Sequence, residues 1–180
     1  MDTEVPGFGW HEPLDPSLRF ETYVHPEKIA DSVAVAQHFA AGKNDYGALL
    51  VLVALPGADK KHLLHAVCHA WNQRTATSAV LTTAPAWFKA FVRSMRLGEA
   101  PRLAAEALDV GLFVLDGLQL FAGKEITQQA LSSLLRRRIA LGRPVLIAAE
   151  VAPAEIRNLS LELLDLLATG ATVASPGKGA

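Results

Sequence analysis

Residues 112–129 read Leu-Phe-Val-Leu-Asp-Gly-Leu-Gln-Leu-Phe-Ala-Gly-Lys-Glu-Ile-Thr-Gln-Gln. An apolar strand ends in a single carboxylate, Asp116, and runs straight into a polar, amide-rich stretch that opens a helix. Working outward from it, short apolar runs alternate with longer helical patterns, which is how a parallel sheet with crossover helices reads. Strands are expected at about 48–54, 78–83, 110–116, 143–149 and 171–175. The first of these, Ala-Leu-Leu-Val-Leu-Val-Ala, is continuous in apolar residues and is therefore expected to be central and covered on both faces. Helices are expected near 27–41, 60–73, 85–107 with a break at Gly98 to Pro101, 125–141 and 153–168. Pro56-Gly57, Gly142, Pro153 and Gly170 punctuate the connections.

The chain has 180 residues, 51% of them hydrophobic, enough for one compact domain with a full core. The formal charge of −1 gives no global field, so any attraction to nucleic acid has to come from a local patch. A lone cysteine, Cys68, excludes an internal disulfide and fits a reducing compartment, and no apolar stretch approaches the roughly 18 residues of a membrane helix. A cytoplasmic protein with no membrane partner is the expectation. Residues 1–13 carry Pro and Gly without periodicity and are expected to be a flexible N-terminal segment, residues 14–175 the folded core, and residues 176–180 a disordered tail.

Several patterns together resemble one family. After Asp116, the run Leu118-Gln119-Leu120-Phe121-Ala122-Gly123-Lys124-Glu125 is similar to the segment that follows the second acidic motif of the bacterial replication initiator DnaA. Lys60-Lys61-His62-Leu63-Leu64-His65-Ala66-Val67 is close to that family's Lys-Thr-His-Leu-Leu-His-Ala-Ile. Leu14-Asp15-Pro16 with Phe20, Tyr23 and Val24 resembles the entry segment beside its adenine site, and Glu155-Ile156 after Pro153 resembles a further family segment. The resemblance runs from about 14 to 174. It implies a three-layer α/β/α P-loop ATPase (AAA+) core with a five-stranded parallel sheet, here without the helical lid and without the duplex-reading domain, as in the short, Hda-like regulator form.

The same resemblance places the nucleotide chemistry and shows it altered. A phosphate loop of the form G-x-x-x-x-G-K-[ST] needs glycines so that backbone N–H groups can face phosphate, a lysine for the β/γ-phosphates and a hydroxyl for Mg²⁺. Ala54-Leu55-Pro56-Gly57-Ala58-Asp59-Lys60-Lys61 keeps Lys60, with Gly57 as an extra glycine, and has Asp59 and Lys61 at the glycine and hydroxyl positions. Asp59 puts a carboxylate where phosphate would sit and is a good cap for the helix that follows. At the acidic motif the family has two aspartates; Asp116 stays and Gly117 replaces the second. Glu150 is the one polar residue at the end of the fourth strand, and Glu162 to Leu167 replace the segment that donates an arginine finger. Hydrolysis is not expected. No resident cofactor is expected either, with ATP or ADP and Mg²⁺ on Gly57, Lys60, Lys61 and Asp116 as the alternative.

Other residues carry weaker expectations. His62, His65 and His69 share one helix face beside Cys68; packing and hydrogen bonding is the reading preferred over a metal site. Lys89, Arg93, Arg96 and Arg102 interleave with Trp87, Phe88 and Phe91 where the family carries its single-stranded-DNA grip. They are read as a patch for single-stranded DNA or a partner, or else as aromatics facing the core with solvated cations. Arg136, Arg137 and Arg138 are read as a solvated helix face or a surface for an acidic partner. The leucines of 159–167 form the core face of a helix, or an oligomer contact. The function implied is a catalytically inactive binding or regulatory protein of replication initiation, with DnaA or another initiation protein as partner. A nucleotide switch and an oligomerising structural subunit are the other readings.

Overall fold

The computed structural model describes residues 7–25, 27–54 and 59–175. Its elements in chain order are α1 (Ala30–Ala40), β1 (Leu49–Ala54), α2 (Lys60–Arg74), β2 (Ala79–Thr83), α3 (Ala84–Arg96), α4 (Ala100–Asp109), β3 (Leu112–Asp116), α5 (Glu125–Ala140), β4 (Val145–Ala149), α6 (Leu161–Ala168) and β5 (Ala171–Ser175). All five strands are parallel, in the order β2-β3-β4-β1-β5. β1 pairs Leu49 with Val145 of β4 and Leu50 with Ala171 of β5, so it is interior, as its apolar run demands, while β4 takes the middle of the sheet.

Strand parity sorts the core into two layers. Val51, Val53, Phe113, Leu115, Val145 and Ile147 face one side, where α3, α4, α5 and α6 pack. Leu50, Leu52, Leu112, Val114, Leu146 and Ala148 face the other, covered by α1 and α2. Alternate residues of a strand point to opposite faces, so a run apolar at every position needs helices on both sides. The α/β/α sandwich follows from that pattern.

Two expectations need correction. Residues 153–168 do not form one helix: a 3₁₀ turn over Pro153–Glu155 is separated from α6 by Asn158, whose φ is +61°. A left-handed residue cannot continue a right-handed helix, and Ser160 restarts it by accepting the Leu163 N–H at 3.3 Å. The break at Gly98 to Pro101, by contrast, is where α3 ends and α4 begins.

The second correction concerns the N-terminal segment. Residues 1–6 and 176–180 lie outside the described residues, but Trp10 is fully buried and Phe8 nearly so. Trp10 sits edge-on to Trp87 at 5.3 Å between ring centroids and 5.9 Å from Phe113. Two residues later the Glu12 N–H donates to the Leu81 carbonyl at 2.8 Å, covering the exposed edge of β2. An apolar side chain this large gains about 2–3 kcal/mol from burial, which offsets part of the cost of ordering a segment that lacks any periodicity.

Candidate functional site

In open parallel sheets ligands bind at the carboxyl ends of the strands, and there the α2 N-terminus comes close to the ends of β1 and β3. Lys60 is the first residue of α2, and its Nζ lies 2.7 Å from Oδ1 of Asp116, the last residue of β3. The side chains are 15% and 24% exposed, so the pair is shielded from solvent on most sides. Asp59 occupies the N-cap, its carboxylate accepting the His62 N–H at 3.3 Å. The positive end of the helix thus meets an anion of the protein's own. Lys61 is exposed on the next position of α2. Gly57 falls in 55–58, outside the described residues.

Gly117 explains itself by its backbone. It takes φ +91° and ψ 40°, a conformation open to glycine and costly to most side chains. Its N–H donates to the Ala148 carbonyl at 3.0 Å, and the 3₁₀ turn Leu118–Phe121 starts from it. Glu150, exposed at the end of β4, receives its order from Gln119, whose Oε1 accepts the Glu150 N–H at 3.3 Å.

The three histidines of α2 act together on the segment that precedes α1. His69 Nε2 donates to the Asp15 carbonyl at 2.8 Å, while His65 Nδ1 accepts the Asp15 N–H at 3.1 Å. His62 Nε2 lies 2.9 Å from the Arg19 carbonyl, to which only a protonated nitrogen can bond, and 3.3 Å from Thr22 Oγ1. Tyr23 lies against the His62 ring at 4.7 Å. Burial pushes the His65 imidazole below its ordinary pKa, with the Lys61 charge in the same direction. The reading of packing and hydrogen bonding therefore holds, with the added result that the helix face clamps residues 15–23. Cys68 is fully buried, and desolvation pushes its thiol up to about 12, so it sits in the core as an uncharged thiol.

Residues 14–174 match the family model of the bacterial DnaA ATPase domain. The chain belongs to the DnaA family. It is 30% identical over 164 residues to the chromosomal replication initiator protein DnaA of Nitrobacter winogradskyi, covering 89% of this chain and 34% of that protein. DnaA of Brucella abortus is 30% identical over 169 residues, 91% of this chain and 34% of the relative. The chain thus spans about a third of the length of these relatives. Among solved structures, domain III of Thermotoga maritima DnaA superposes with a TM-score of 0.86 at 20% identity, over 93% of this chain and 70% of that one. A replication initiator DnaA bound to AMPPCP and single-stranded DNA gives 0.85 at 20% identity, over 91% and 51%. These likenesses establish a DnaA-type AAA+ fold.

Within this DnaA-family fold the expected basic patch is rearranged. Lys89, Arg93 and Arg96 are exposed on α3 at i, i+4 and i+7, one stripe of the helix. Trp87 and Phe91 are buried in the core, and Phe88 is half-buried with Lys124 over its ring at 5.6 Å. The aromatics therefore do not interleave with the cations at the surface. Arg102 leaves the stripe as well: it pairs with Glu106 at 3.1 Å and Glu99 at 3.5 Å on α4 and lies over the Phe8 ring at 4.9 Å.

The triple-arginine surface is also corrected. Arg136 pairs with Glu162 of α6 at 2.7 Å and Arg137 is exposed, but Arg138 is fully buried. Its Nη1 donates to the carbonyls of Ala107, Leu108 and Val110, and its Nη2 to those of Gly111 and Pro144, all within 2.9–3.1 Å. Burial, with Arg143 nearby, lowers its pKa to about 10, and it stays charged at neutral pH. The buried face of α5 held the signal, since Leu131, Leu135 and Arg138 follow one another at helical spacing. In α6, Leu163 and Leu167 are core residues, as the leucine pattern implied, and Leu161 is exposed. Among the described residues no helix is long and apolar enough to cross a membrane.

Proposed function

We propose that this domain acts in chromosomal replication initiation as a binding and regulatory protein that does not hydrolyse ATP. One observation carries the reading: the lysine and the aspartate that would serve a nucleotide are joined to each other at 2.7 Å, beside a helix N-terminus already capped by Asp59. A Mg²⁺–triphosphate does not fit these groups. It would have to break the Lys60–Asp116 pair, displace or repel the Asp59 carboxylate, and do without a hydroxyl at Lys61. Asp116 alone also leaves no second carboxylate at Gly117 to orient an attacking water. The chain keeps the family's framework and offers its surfaces instead of its chemistry. The partners we assign are DnaA or another initiation protein, consistent with the two relatives named above being chromosomal replication initiator proteins.

The stripe of Lys89, Arg93 and Arg96 supports a subsidiary contact with single-stranded DNA. Cations without surface aromatics recognise the phosphate backbone and not the bases. Such a contact is independent of sequence and salt-sensitive, with a slope of log K against log salt of roughly −2 for three phosphates. Light scattering on mixtures of the purified chain with DnaA tests the main reading: formation of a complex supports it, and separate elution under all nucleotide conditions removes it. Fluorescence anisotropy with an oligonucleotide at low salt tests the second. Binding that survives Arg93→Glu/Arg96→Glu sinks the stripe.

The alternative, a nucleotide switch or slow ATPase, draws on the same pair, since Lys60 and Asp116 still stand at the strand ends. In that reading the ion pair is a latch that nucleotide opens, and Lys60→Ala abolishes a measurable affinity.

A further inference from the structure

At the opposite end of the sheet, where β1 and β4 begin, a cleft of about 320 Å³ opens between the turn after α1, the end of α2 and the loop before β4. Its lining contains two cations, Lys43 and Arg74, no carboxylate, and the apolar surfaces of Phe39, Trp71 and Pro144. The strands are five or six residues long, so roughly 17 Å of sheet separates this cleft from Lys60 and Asp116. It belongs to neither the nucleotide site nor the α3 stripe.

Arg74 is fixed in place, although it is exposed. Its Nε donates to the Ala40 carbonyl at 3.3 Å, and its guanidinium carbon lies 4.8 Å from the centroid of Trp71. Trp71 is itself held by its Nε1–H donating to the Thr77 carbonyl at 2.9 Å. Gly42 makes room for this arrangement: a Cβ there would come within 2.5 Å of Nη2 and 2.8 Å of Cζ, and the residue has φ +68°. Among the described residues, Lys43 and Arg74 form no ion pair, and the Asp45 carboxylate on the neighbouring turn forms none either. A guanidinium with its Nε and one face engaged keeps its two Nη groups as a planar fork, ready for an oxyanion at little entropic cost.

We propose that this cleft is a binding site for a small organic oxyanion, its phosphate or carboxylate head on Arg74 and Lys43 and its apolar body against Phe39 and Pro144. The head supplies the two negative oxygens that match the fork, and the size of the cleft exceeds what a bare anion fills.

The chain has three tryptophans, so ¹H–¹⁵N spectra contain three indole signals, from Trp10, Trp71 and Trp87. Titration at constant ionic strength with phenyl phosphate, benzoate and inorganic phosphate is expected to move the Trp71 indole and the Gly42 and Gly47 amides saturably, leaving Trp10 and Trp87 in place. A preference for phenyl phosphate identifies a phosphate head and a preference for benzoate a carboxylate head. Arg74→Gln is expected to weaken binding at least about tenfold, because it removes a charge-assisted fork. Lys43→Gln, a surface change that leaves Arg74 in place, weakens it less. The proposal is overturned if none of the three probes shifts Trp71, if all three indoles move together, or if affinity is unchanged in both variants.

Discussion

At the scale of single residues, the arginines of α5 show how little a local pattern says about a side chain's task. Arg136 and Arg138 differ by two positions, yet one forms a pair exposed to solvent and the other holds five carbonyls of the α4–β3 and α5–β4 connections. Removing Arg138 withdraws five hydrogen bonds from carbonyls in a largely buried site, of which those of Leu108 and Pro144 keep a second donor in Arg143 and the Phe113 N–H, so Arg138→Ala is expected to lower unfolding free energy by about 3 kcal/mol. Arg136→Ala is expected to cost under about 1 kcal/mol, because its pair with Glu162 is largely exposed. Urea unfolding of the two variants measures the contrast, and equal losses would contradict it. Asp59 and Lys60 were legible because cap and helix start are adjacent in the chain, and Asp116 because it ends an apolar strand, whereas the pairing of Lys60 with Asp116 became visible only in the fold. Arg138 was not legible, because its partners lie about 30 residues away in the chain and become visible only in the fold. Gly117 is a related case. Gly117→Asp restores the second carboxylate of the family motif on a backbone at φ +91° and is expected to destabilise by about 1 kcal/mol without restoring turnover, since Lys61 still replaces the hydroxyl. Thermal unfolding and a phosphate-release assay on this variant would be at odds with the account if it gained both stability and activity.

At the scale of elements, α2 is capped by Asp59 and binds the 15–23 segment through three histidines. Their shared face could be read from the spacing of positions 62, 65 and 69, but what they hold could not, since the segment precedes them by more than 40 residues. The clamp has a pH dependence of definite sign. His65 must be neutral at Nδ1 to accept the Asp15 N–H, and its folded pKa lies below the ordinary 6.5. Lys61 and His69 face it and lower the value further, while Asp15 and Glu12 oppose them in part. A base whose folded pKa is depressed binds fewer protons folded than unfolded, so its contribution is fully present above about pH 6.5 and is lost as pH falls below that value. Unfolding free energy measured across this range should drop toward acid, and His65→Gln should flatten the drop. An undiminished acid loss in that variant would assign it to other groups. The N-terminal segment illustrates the opposite limit of sequence reading. Its Pro and Gly content suggested mobility, whereas one residue, Trp10, decides its place by burial against Trp87 and Phe113.

At the scale of the whole molecule, the sheet and its layers were legible because β1, β3 and β4 are apolar at successive positions, which only a strand covered on both faces tolerates. The strand order β2-β3-β4-β1-β5 was not legible in the pattern, since alternation of strands and helices is compatible with several orders. The framework is that of a DnaA-type AAA+ domain, and the account turns on what stands at the carboxyl ends of its strands. There the protein supplies its own anion to α2 and its own cation to Asp116. The most direct measurement is calorimetric titration of the chain with ATP and with ADP in the presence of Mg²⁺, beside Lys60→Ala. The account predicts no detectable binding to either protein. Micromolar binding by the wild type that disappears in Lys60→Ala would contradict it and establish the ion pair as a latch opened by nucleotide.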